Sequence, residues 1–399
     1  MRRPSKRARP PEYTLLYAAT LFLLAVGAVM VYSASSATSL LRGTGDPSFY
    51  LKRYVVFGML GLVVLHVMSR HGLKLAKTFT PILLVAGFGL TMAVKLPGIG
   101  VNVNGATRWL AAGPIQFQPS ELLKLALILY AAQLIAARPS SVQTIGGICK
   151  PLLIVVGCAC ALLMAQPDMG TSIVVCLAIG SLLIAAGVPK QNLLKIIGVL
   201  AVLALIFAVI EPYRRARLLT FLHPWHDATG SGFQSVQAMI AIGSGGFFGV
   251  GLGESVQKIF YLPEAHTDMI LAVIGEEWGV MGIAGVAGLF GLFGYAGLRA
   301  AKLAKDRYGK LVAAGVTGLV LSQAILNFFA VLGMAPLTGV PLPFISYGSS
   351  NLIVVMAGAG ILLNVASGAR VSVRQERKRP QRSTQADGRS RQARSVRAA

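Results

Sequence analysis

Ten separate apolar runs, each long enough to cross a lipid bilayer, constrain this chain more than any other feature. The runs lie at 14–36, 53–68, 79–96, 119–137, 150–166, 170–188, 193–210, 268–298, 311–333 and 346–366. A transmembrane helix needs roughly 20 predominantly apolar residues. Only 13% of the 399 residues are charged, against roughly 25% in an ordinary soluble domain. The sequence therefore excludes a water-soluble globule and predicts an all-α, polytopic membrane protein with about ten transmembrane helices.

The basic residues are concentrated at the two ends of the chain. There are 37 Lys and Arg against 14 Asp and Glu, with five basic residues in 1–12 and ten in 368–399. We predict a basic cytoplasmic arm at 1–13, a membrane domain at 14–367 and a basic, disordered cytoplasmic tail at 368–399. Such arms are attracted to anionic headgroups. Nucleic-acid binding is the alternative, and it is disfavoured because no folded basic module accompanies the tails.

The distribution of Lys and Arg also predicts the orientation in the membrane. Ten spans place both termini on the same side, and with the tails inside, the inner segments hold 27 Lys and Arg while the outer loops hold eight. The positive-inside rule selects this arrangement. We therefore expect a multi-pass protein of the cytoplasmic membrane with both termini in the cytoplasm.

The longest connection, 211–267, then forms a large extracytoplasmic loop. From Phe233 to Ile240 its apolar residues recur at helical spacing, which predicts a short helix along the membrane interface. A glycine-rich stretch follows at 243–253. Such a stretch either cradles a phosphate with its backbone N–H groups or only forms tight turns, and the pattern favours turns.

The acidic residues lie outward. Of the eleven between positions 13 and 367, only Asp306 falls in an inner loop. Ionisable groups at membrane depth are costly and usually functional, so we expect the chemistry at the outer face. The strongest cluster is at 261–279, where Asp268 enters a span beside Glu264 and His266, which we predict to bind the substrate. Asp268 is either a general base or a helix cap, and the residues alone weigh these two interpretations about equally.

Four buried charges are predicted to be structural. Glu276 and Glu277 lie about two helical turns below Asp268, and Glu121 and Lys124 are three residues apart on one helical face. At that depth carboxylates need partners, and we expect these four residues to form buried ion pairs.

Several outer cations run against the positive-inside trend. They are Arg108, Arg214, Arg217 and Lys258. Arg and Lys suit phosphate, so we predict that they bind the substrate. The alternative is anchoring of helix ends to headgroups, which is favoured for Arg214 and Arg217 taken singly. The turn at 341–350 enters the last span from outside, and we predict that its Ser346 lines the same substrate cavity.

The chain has no Walker, Rossmann, HExxH or GxSxG motif. We therefore expect no cofactor and no metal site, and only a loosely assisting divalent cation is left open. The four Cys lie in or beside apolar runs without CxxC spacing, so neither a zinc site nor a disulfide is predicted.

Six motifs, in order, resemble the SEDS family (shape, elongation, division and sporulation proteins), which are membrane peptidoglycan glycosyltransferases. The motifs are NGATRW (104–109), QPSELLKL (118–125), QPDMGTS (166–172), FLHPW (221–225), GLGESVQKIFYLPEAHTD (251–268) and PLPFISYGSS (341–350). The segments VYSAS (31–35) and QKIFYLPEAHTD are most similar to the cell-division branch. The elongation and sporulation branches remain alternatives. At 347–351 the chain reads YGSSN, whereas many members of the family have a second glycine in this motif.

The resemblance implies ten transmembrane helices and polymerisation of lipid II on the outer face of the membrane during septal cell-wall synthesis. The donor is a glycan on undecaprenyl pyrophosphate, and the acceptor is the 4-hydroxyl of the incoming lipid II sugar. The resemblance also implies that Asp268 is the catalytic residue. The implied partners are a class B penicillin-binding transpeptidase and other membrane proteins of the division septum. A lipid II flippase and a purely structural scaffold are the rival functions.

Overall fold

A computed structural model describes residues 10–42, 45–103, 106–112, 115–210, 212–259 and 261–378. Helices dominate it. They are α1 (Pro11–Arg42), α2 (Phe49–Ala93), α3 (Pro119–Ala137), α4 (Ile145–Ile148), α5 (Ile154–Met164), α6 (Met169–Ala186), α7 (Lys190–Ile210), α8 (Pro212–Leu222), α9 (Phe233–Gly245), α10 (Ile270–Lys302), α11 (Arg307–Val331) and α12 (Ser349–Lys378).

Within these described ranges, eight helical segments are long and apolar enough to cross a membrane. They are α1, α2, α3, the run from α4 to α5, α6, α10, α11 and α12. Helix α7 coincides with a further predicted span, 193–210. The protein is therefore a helical, multi-pass membrane protein. Helix α11 lies at its centre, because its buried residues belong to both apolar cores, one with α1, α10 and α12 and the other with α3, α5 and α6.

Helix α2 covers two of the predicted spans, 53–68 and 79–96, in one run of 45 residues. The inner loop predicted between them is helical, because 69–78 contains no proline and packs against α12. Gly72 lies against Ile361, and the side-chain amide of Asn364 donates to the carbonyl of Ser69 at 2.9 Å. The number of membrane crossings within α2 is not fixed by this helix boundary, so ten crossings remain a prediction.

A small antiparallel sheet was not predicted. Strands β1 (Gly100–Val103), β2 (Ala106–Ala112) and β3 (Ile115–Phe117) pair in that order, with Gly100 opposite Leu110 and Leu110 opposite Phe117. The sequence signal is Asn-Gly at 104–105, the commonest dipeptide of tight hairpins; that dipeptide itself lies outside the described residues. The all-α class holds for the membrane domain but misses this sheet.

The glycine-rich stretch is interlocked with α10. Helix α10 is broken at Gly279, whose φ is 65°. The freed backbone groups pair with the stretch: Val280 and Met281 donate to the carbonyls of Gly246 and Phe247 at 3.0 and 3.2 Å. In return Val250 donates to the carbonyl of Glu276 at 2.9 Å. Within the stretch, Gly249 and Gly251 likewise donate their N–H groups to the carbonyls of Gly245 and Glu277. Several glycines of the stretch have positive φ, which confirms the tight-turn interpretation, and the paired N–H groups argue against a phosphate cradle here.

The two predicted ends of the membrane domain are only partly described. Helix α12 continues to Lys378, so the boundary predicted at 367 falls within a helix. Residues 1–9 and 379–399, which carry most of the predicted arm and tail, lie outside the described residues. The helix predicted around 233–240 is present as α9.

Candidate active site

Asp268 lies two residues before the start of α10. The N-cap of that helix is Met269 and not Asp268, and Met269 makes no side-chain cap hydrogen bond. The helix-cap interpretation of Asp268 is therefore wrong. Its backbone carbonyl accepts a hydrogen bond from the side-chain amide of Asn327 in α11 at 2.7 Å, and the same amide donates to the carbonyl of Val340 at 2.9 Å. A buried residue of α11 thus fixes both Asp268 and the segment 337–340.

The carboxylate of Asp268 faces a narrow crevice, lined among others by Asn327, Thr338 and Gly339. Burial raises the pKa of Asp268 to about 6, and the neighbouring charge of Glu264 adds to this. Thr267, whose hydroxyl lies 3.3 Å from Oδ1, and the charge of Arg217 act in the opposite direction. A carboxylate with a pKa near 6 is ionised at neutral pH yet more basic than an ordinary one, which suits a general base.

Glu264 and His266 lie just before Asp268, and their predicted contact with the substrate stays a prediction. Glu264 has a φ of 55°, and its carboxylate accepts from the hydroxyl of Thr267 at 2.9 Å. The His266 ring packs against Tyr50 and Tyr347 with centroid distances of 4.3 and 5.7 Å. Burial lowers the pKa of His266, against the opposing charge of Glu264. His266 therefore joins an aromatic cluster with Tyr50 of α2 and Tyr347, which lies two residues before α12.

Arg217 is the predicted cation that the structure brings to this site. It lies in α8, its Nη1 donates to the carbonyl of Leu337 at 3.0 Å, and its charge acts on Asp268. The side chain of Arg214 lies outside the described residues. Arg217 can therefore stabilise negative charge beside Asp268, while the prediction for Arg214 stays untested.

Arg108, in strand β2, contacts the turn between α5 and α6 instead. Its Nε donates to the carbonyl of Gln166 at 3.1 Å, and its Nη2 donates to the carbonyl of Pro167. Gly170, just beyond this turn, packs directly on the carbonyl of Thr338. Arg108 thus holds the sheet against the element behind segment 337–340. An arginine has five N–H donors, so its predicted phosphate contact stays a prediction.

The prediction that Lys258 binds phosphate is wrong. Its side chain is 4% exposed. Nζ donates to Oε1 of Glu277 at 2.7 Å, to the Ser33 hydroxyl at 3.0 Å and to the carbonyl of Gly253 at 2.6 Å. An ammonium has three donors, and all three are used inside the protein. Lys258 instead ties α1 and the segment after the glycine stretch to α10.

The predicted structural ion pairs are confirmed for three of the four residues. Lys124 and Glu121 pair at 2.8 Å with both side chains 2% exposed, and Glu277 pairs with Lys258. Glu276 has no cation among its described partners. Its carboxylate accepts from the backbone N–H groups of Val256 and Gln257 at 3.0 and 3.4 Å and from the Ser255 hydroxyl. Its ion-pair prediction is corrected to a carboxylate that caps a turn.

The prediction that Ser346 lines the substrate cavity is also wrong. Ser346 is 2% exposed, and its hydroxyl accepts from the backbone N–H of Leu342 at 2.9 Å. The N–H of Ser346 donates back to the carbonyl of Leu342 at 3.0 Å. Ser346 therefore closes the turn that leads into α12.

The family model for FtsW, RodA and SpoVE, described as cell cycle protein, matches residues 13–371. The chain belongs to this family. The SEDS resemblance seen in the motifs is confirmed.

Among curated members of this family, the chain is 39% identical over 346 residues to a probable peptidoglycan glycosyltransferase FtsW from Geobacter sp. (strain M18), covering 86% of this chain and 94% of that one. It is 36% identical over 354 residues to stage V sporulation protein E from Bacillus subtilis (strain 168), covering 88% and 96%.

Two solved structures share the fold. One is reported as structural coordination of polymerization and crosslinking by a peptidoglycan synthase complex, with a TM-score of 0.72, 31% identity and coverage of 89% of this chain and 97% of that chain. The other is the rod shape determining protein RodA from Thermus thermophilus, with a TM-score of 0.63, 27% identity and coverage of 92% and 99%.

One positioning residue of this FtsW/RodA/SpoVE member was missed from the sequence. Asn327 lies inside the apolar run 311–333, and only its polar amide at membrane depth signals a role. Segment 337–340 carries no charge, so nothing in its composition marks it as a wall of the crevice.

Proposed function

We propose that this protein is a peptidoglycan glycosyltransferase that polymerises lipid II on the outer face of the cytoplasmic membrane, with Asp268 as general base. The observation that carries the proposal is a carboxylate of raised pKa that is not the cap of α10 and faces a crevice. The names of the FtsW relatives support the activity and its place in septal cell-wall synthesis. The similarity to stage V sporulation protein E keeps a sporulation role as the alternative.

In the proposed reaction Asp268 accepts the proton of the 4-hydroxyl on the incoming lipid II sugar. The hydroxyl oxygen bonds to C1 of the donor sugar, and the bond from C1 to the pyrophosphate oxygen breaks. Undecaprenyl pyrophosphate leaves, and the proton passes from Asp268 to solvent. Arg217, whose charge already acts on Asp268, is placed to stabilise the negative charge that develops on the leaving group.

Membrane orientation and partners belong to the same proposal. Both termini lie in the cytoplasm, which places 211–267 and Asp268 outside. The protein works at the division septum with a class B penicillin-binding transpeptidase, which adds cross-links to the new strands. Support comes from the excess of Lys and Arg in the predicted inner segments and from the structural relative studied within a peptidoglycan synthase complex.

The substitution Asp268→Asn tests the proposal. Asparagine keeps the size of the side chain but cannot accept the proton, and general-base assistance contributes about 10²–10⁴-fold to such rates. We expect purified Asp268→Asn to polymerise lipid II in detergent slower by about this factor, with unchanged yield and thermal stability no lower than wild type.

Asp46→Asn is the matched control, because Asp46 is a half-buried aspartate of a predicted outer loop whose described partners, Ser48 and Lys52, are local. It should retain wild-type polymerisation. Near-normal synthesis by Asp268→Asn would refute the role of Asp268. A wild-type protein that moves lipid II between leaflets without making polymer would favour the flippase.

A further inference from the structure

A surface cleft lies beside the crevice of Asp268. Helices α8 and α9 form one side of it, and the end of α11 with the segment after it forms the other. Polar side chains on the first side include Arg217, Thr220, Gln234 and Ser235.

The cleft and the crevice share part of their walls. Leu337 and Ala330 line both of them. Arg217 stands at their junction, because its guanidinium donates to the carbonyl of Leu337 and its charge acts on Asp268. A ligand that contacts Arg217 in the cleft therefore lies close to the proposed general base.

Two half-buried polar side chains in the cleft are available to a ligand. Gln234 and Ser235 have no hydrogen-bond partner among the described residues, whereas Thr220 and Ser231 bond to each other at 2.8 Å. A glutamine amide offers both donors and an acceptor. Phe221 and Met239 add apolar surface in the same cleft. An N-acetylated sugar is complementary to this lining, because its hydroxyl and acetamido groups can hydrogen-bond to the polar side chains and its ring can pack on the apolar ones.

We propose that this cleft binds an N-acetylated amino sugar of the lipid-linked substrate, with Gln234 and Ser235 hydrogen-bonding its hydroxyl or acetamido groups. The inference rests on the proposed glycosyltransferase function and adds to it a sugar subsite adjoining Asp268. The sugar belongs either to the incoming lipid II or to the growing strand, and these two sources share the same chemistry.

Gln234→Ala and Ser235→Ala test the subsite, with Gln237→Ala as the matched control. Gln237 lies one turn further along α9 and does not line the cleft. Loss of one hydrogen bond to a ligand corresponds to about a two- to tenfold change in affinity.

For an incoming sugar, the KM of the Gln234→Ala and Ser235→Ala variants for lipid II rises by this factor with little change in kcat. For a sugar of the growing strand, the product strands shorten while the initial rate is unchanged. Either result supports the subsite. Behaviour of both variants that matches Gln237→Ala overturns it.

A binding measurement separates the subsite from the polymerase. In the Asp268→Asn protein, which is expected to turn over slowly, the affinity for fluorescent lipid II in detergent should fall two- to tenfold on adding Gln234→Ala and stay constant on adding Gln237→Ala. If wild type makes no polymer but this difference persists, the subsite stands and the glycosyltransferase assignment fails. If wild type polymerises lipid II but neither readout responds to Gln234→Ala, only the subsite fails.

Discussion

At the residue scale, the surroundings of Asp268 predict how activity depends on pH. Burial raises its pKa to about 6, so below pH 6 the carboxyl is increasingly protonated and cannot accept a proton. We expect kcat/KM for lipid II to be flat above pH 7 and to fall about tenfold per pH unit below 6. A profile that stays flat down to pH 5 would contradict Asp268 as the base.

The same pKa also affects stability, which gives a readout independent of turnover. The folded pKa lies above the ordinary value of 3.8, so ionised Asp268 disfavours the folded state. This penalty is absent below about pH 4 and fully present above about pH 6. Asp268→Asn should therefore melt at a higher temperature than wild type at pH 7.5, and the difference should narrow toward pH 4.5. A constant difference across this range would exclude a raised pKa.

Sequence reasoning found Asp268 because its outer position and its motif pointed the same way. It failed for Lys258 and Ser346, because the sequence does not show whether such a side chain hydrogen-bonds to another part of the protein instead of the substrate. Lys258 bonds to Ser33 across 225 residues and to Glu277 across 19. Such partners depend on how α1 and α10 pack, which periodicity cannot supply.

At the element scale, the break in α10 gives a sharp prediction. Gly279 has a φ of 65°, and a Cβ there would lie 2.5 Å from both the nitrogen of Gly249 and the carbonyl oxygen of Phe247. Both atoms are backbone in the interlocked stretch and cannot move aside cheaply. We expect Gly279→Ala to lower the melting temperature in detergent by several degrees or to abolish the folded yield.

Gly285→Ala is the matched control for this prediction. Gly285 lies six residues further along α10, and a Cβ there meets nothing within 4 Å. Alanine stabilises a helix interior by about 1 kcal/mol relative to glycine, so this variant should melt at or above the wild-type temperature. Equal effects of the two substitutions would show that the interlock does not hold the outer segment in place. From the sequence, only the unusual length of run 268–298 hinted at a broken helix.

At the scale of the whole molecule, the number of crossings depends on α2. The ends of α2 contact segments predicted to lie outside: Tyr54 donates to the carbonyl of Phe344, and the carbonyl of Thr91 accepts from Gln166. Its middle contacts a segment predicted to lie inside, since a Cβ at Gly309 would lie 3.6 Å from Leu73. These contacts favour two crossings within α2, because both of its ends lie near outer segments and its middle lies near an inner one. Two crossings give ten spans and place both termini on one side, whereas a single crossing would place them on opposite sides.

Cysteine labelling distinguishes these topologies. Single cysteines are introduced at Thr229, Lys74 and Lys305, all exposed, in a chain whose four native cysteines are replaced. With both termini inside and two crossings in α2, a membrane-impermeant maleimide labels only Thr229→Cys in intact cells, and Lys74→Cys and Lys305→Cys react after permeabilisation. The Lys74 position decides the count, because it lies near the middle of α2. Labelling of Lys74→Cys from outside would contradict two crossings within α2 and the ten-span topology. Labelling of Thr229→Cys only from inside would place Asp268 on the cytoplasmic side, where it could not polymerise lipid II on the outer face.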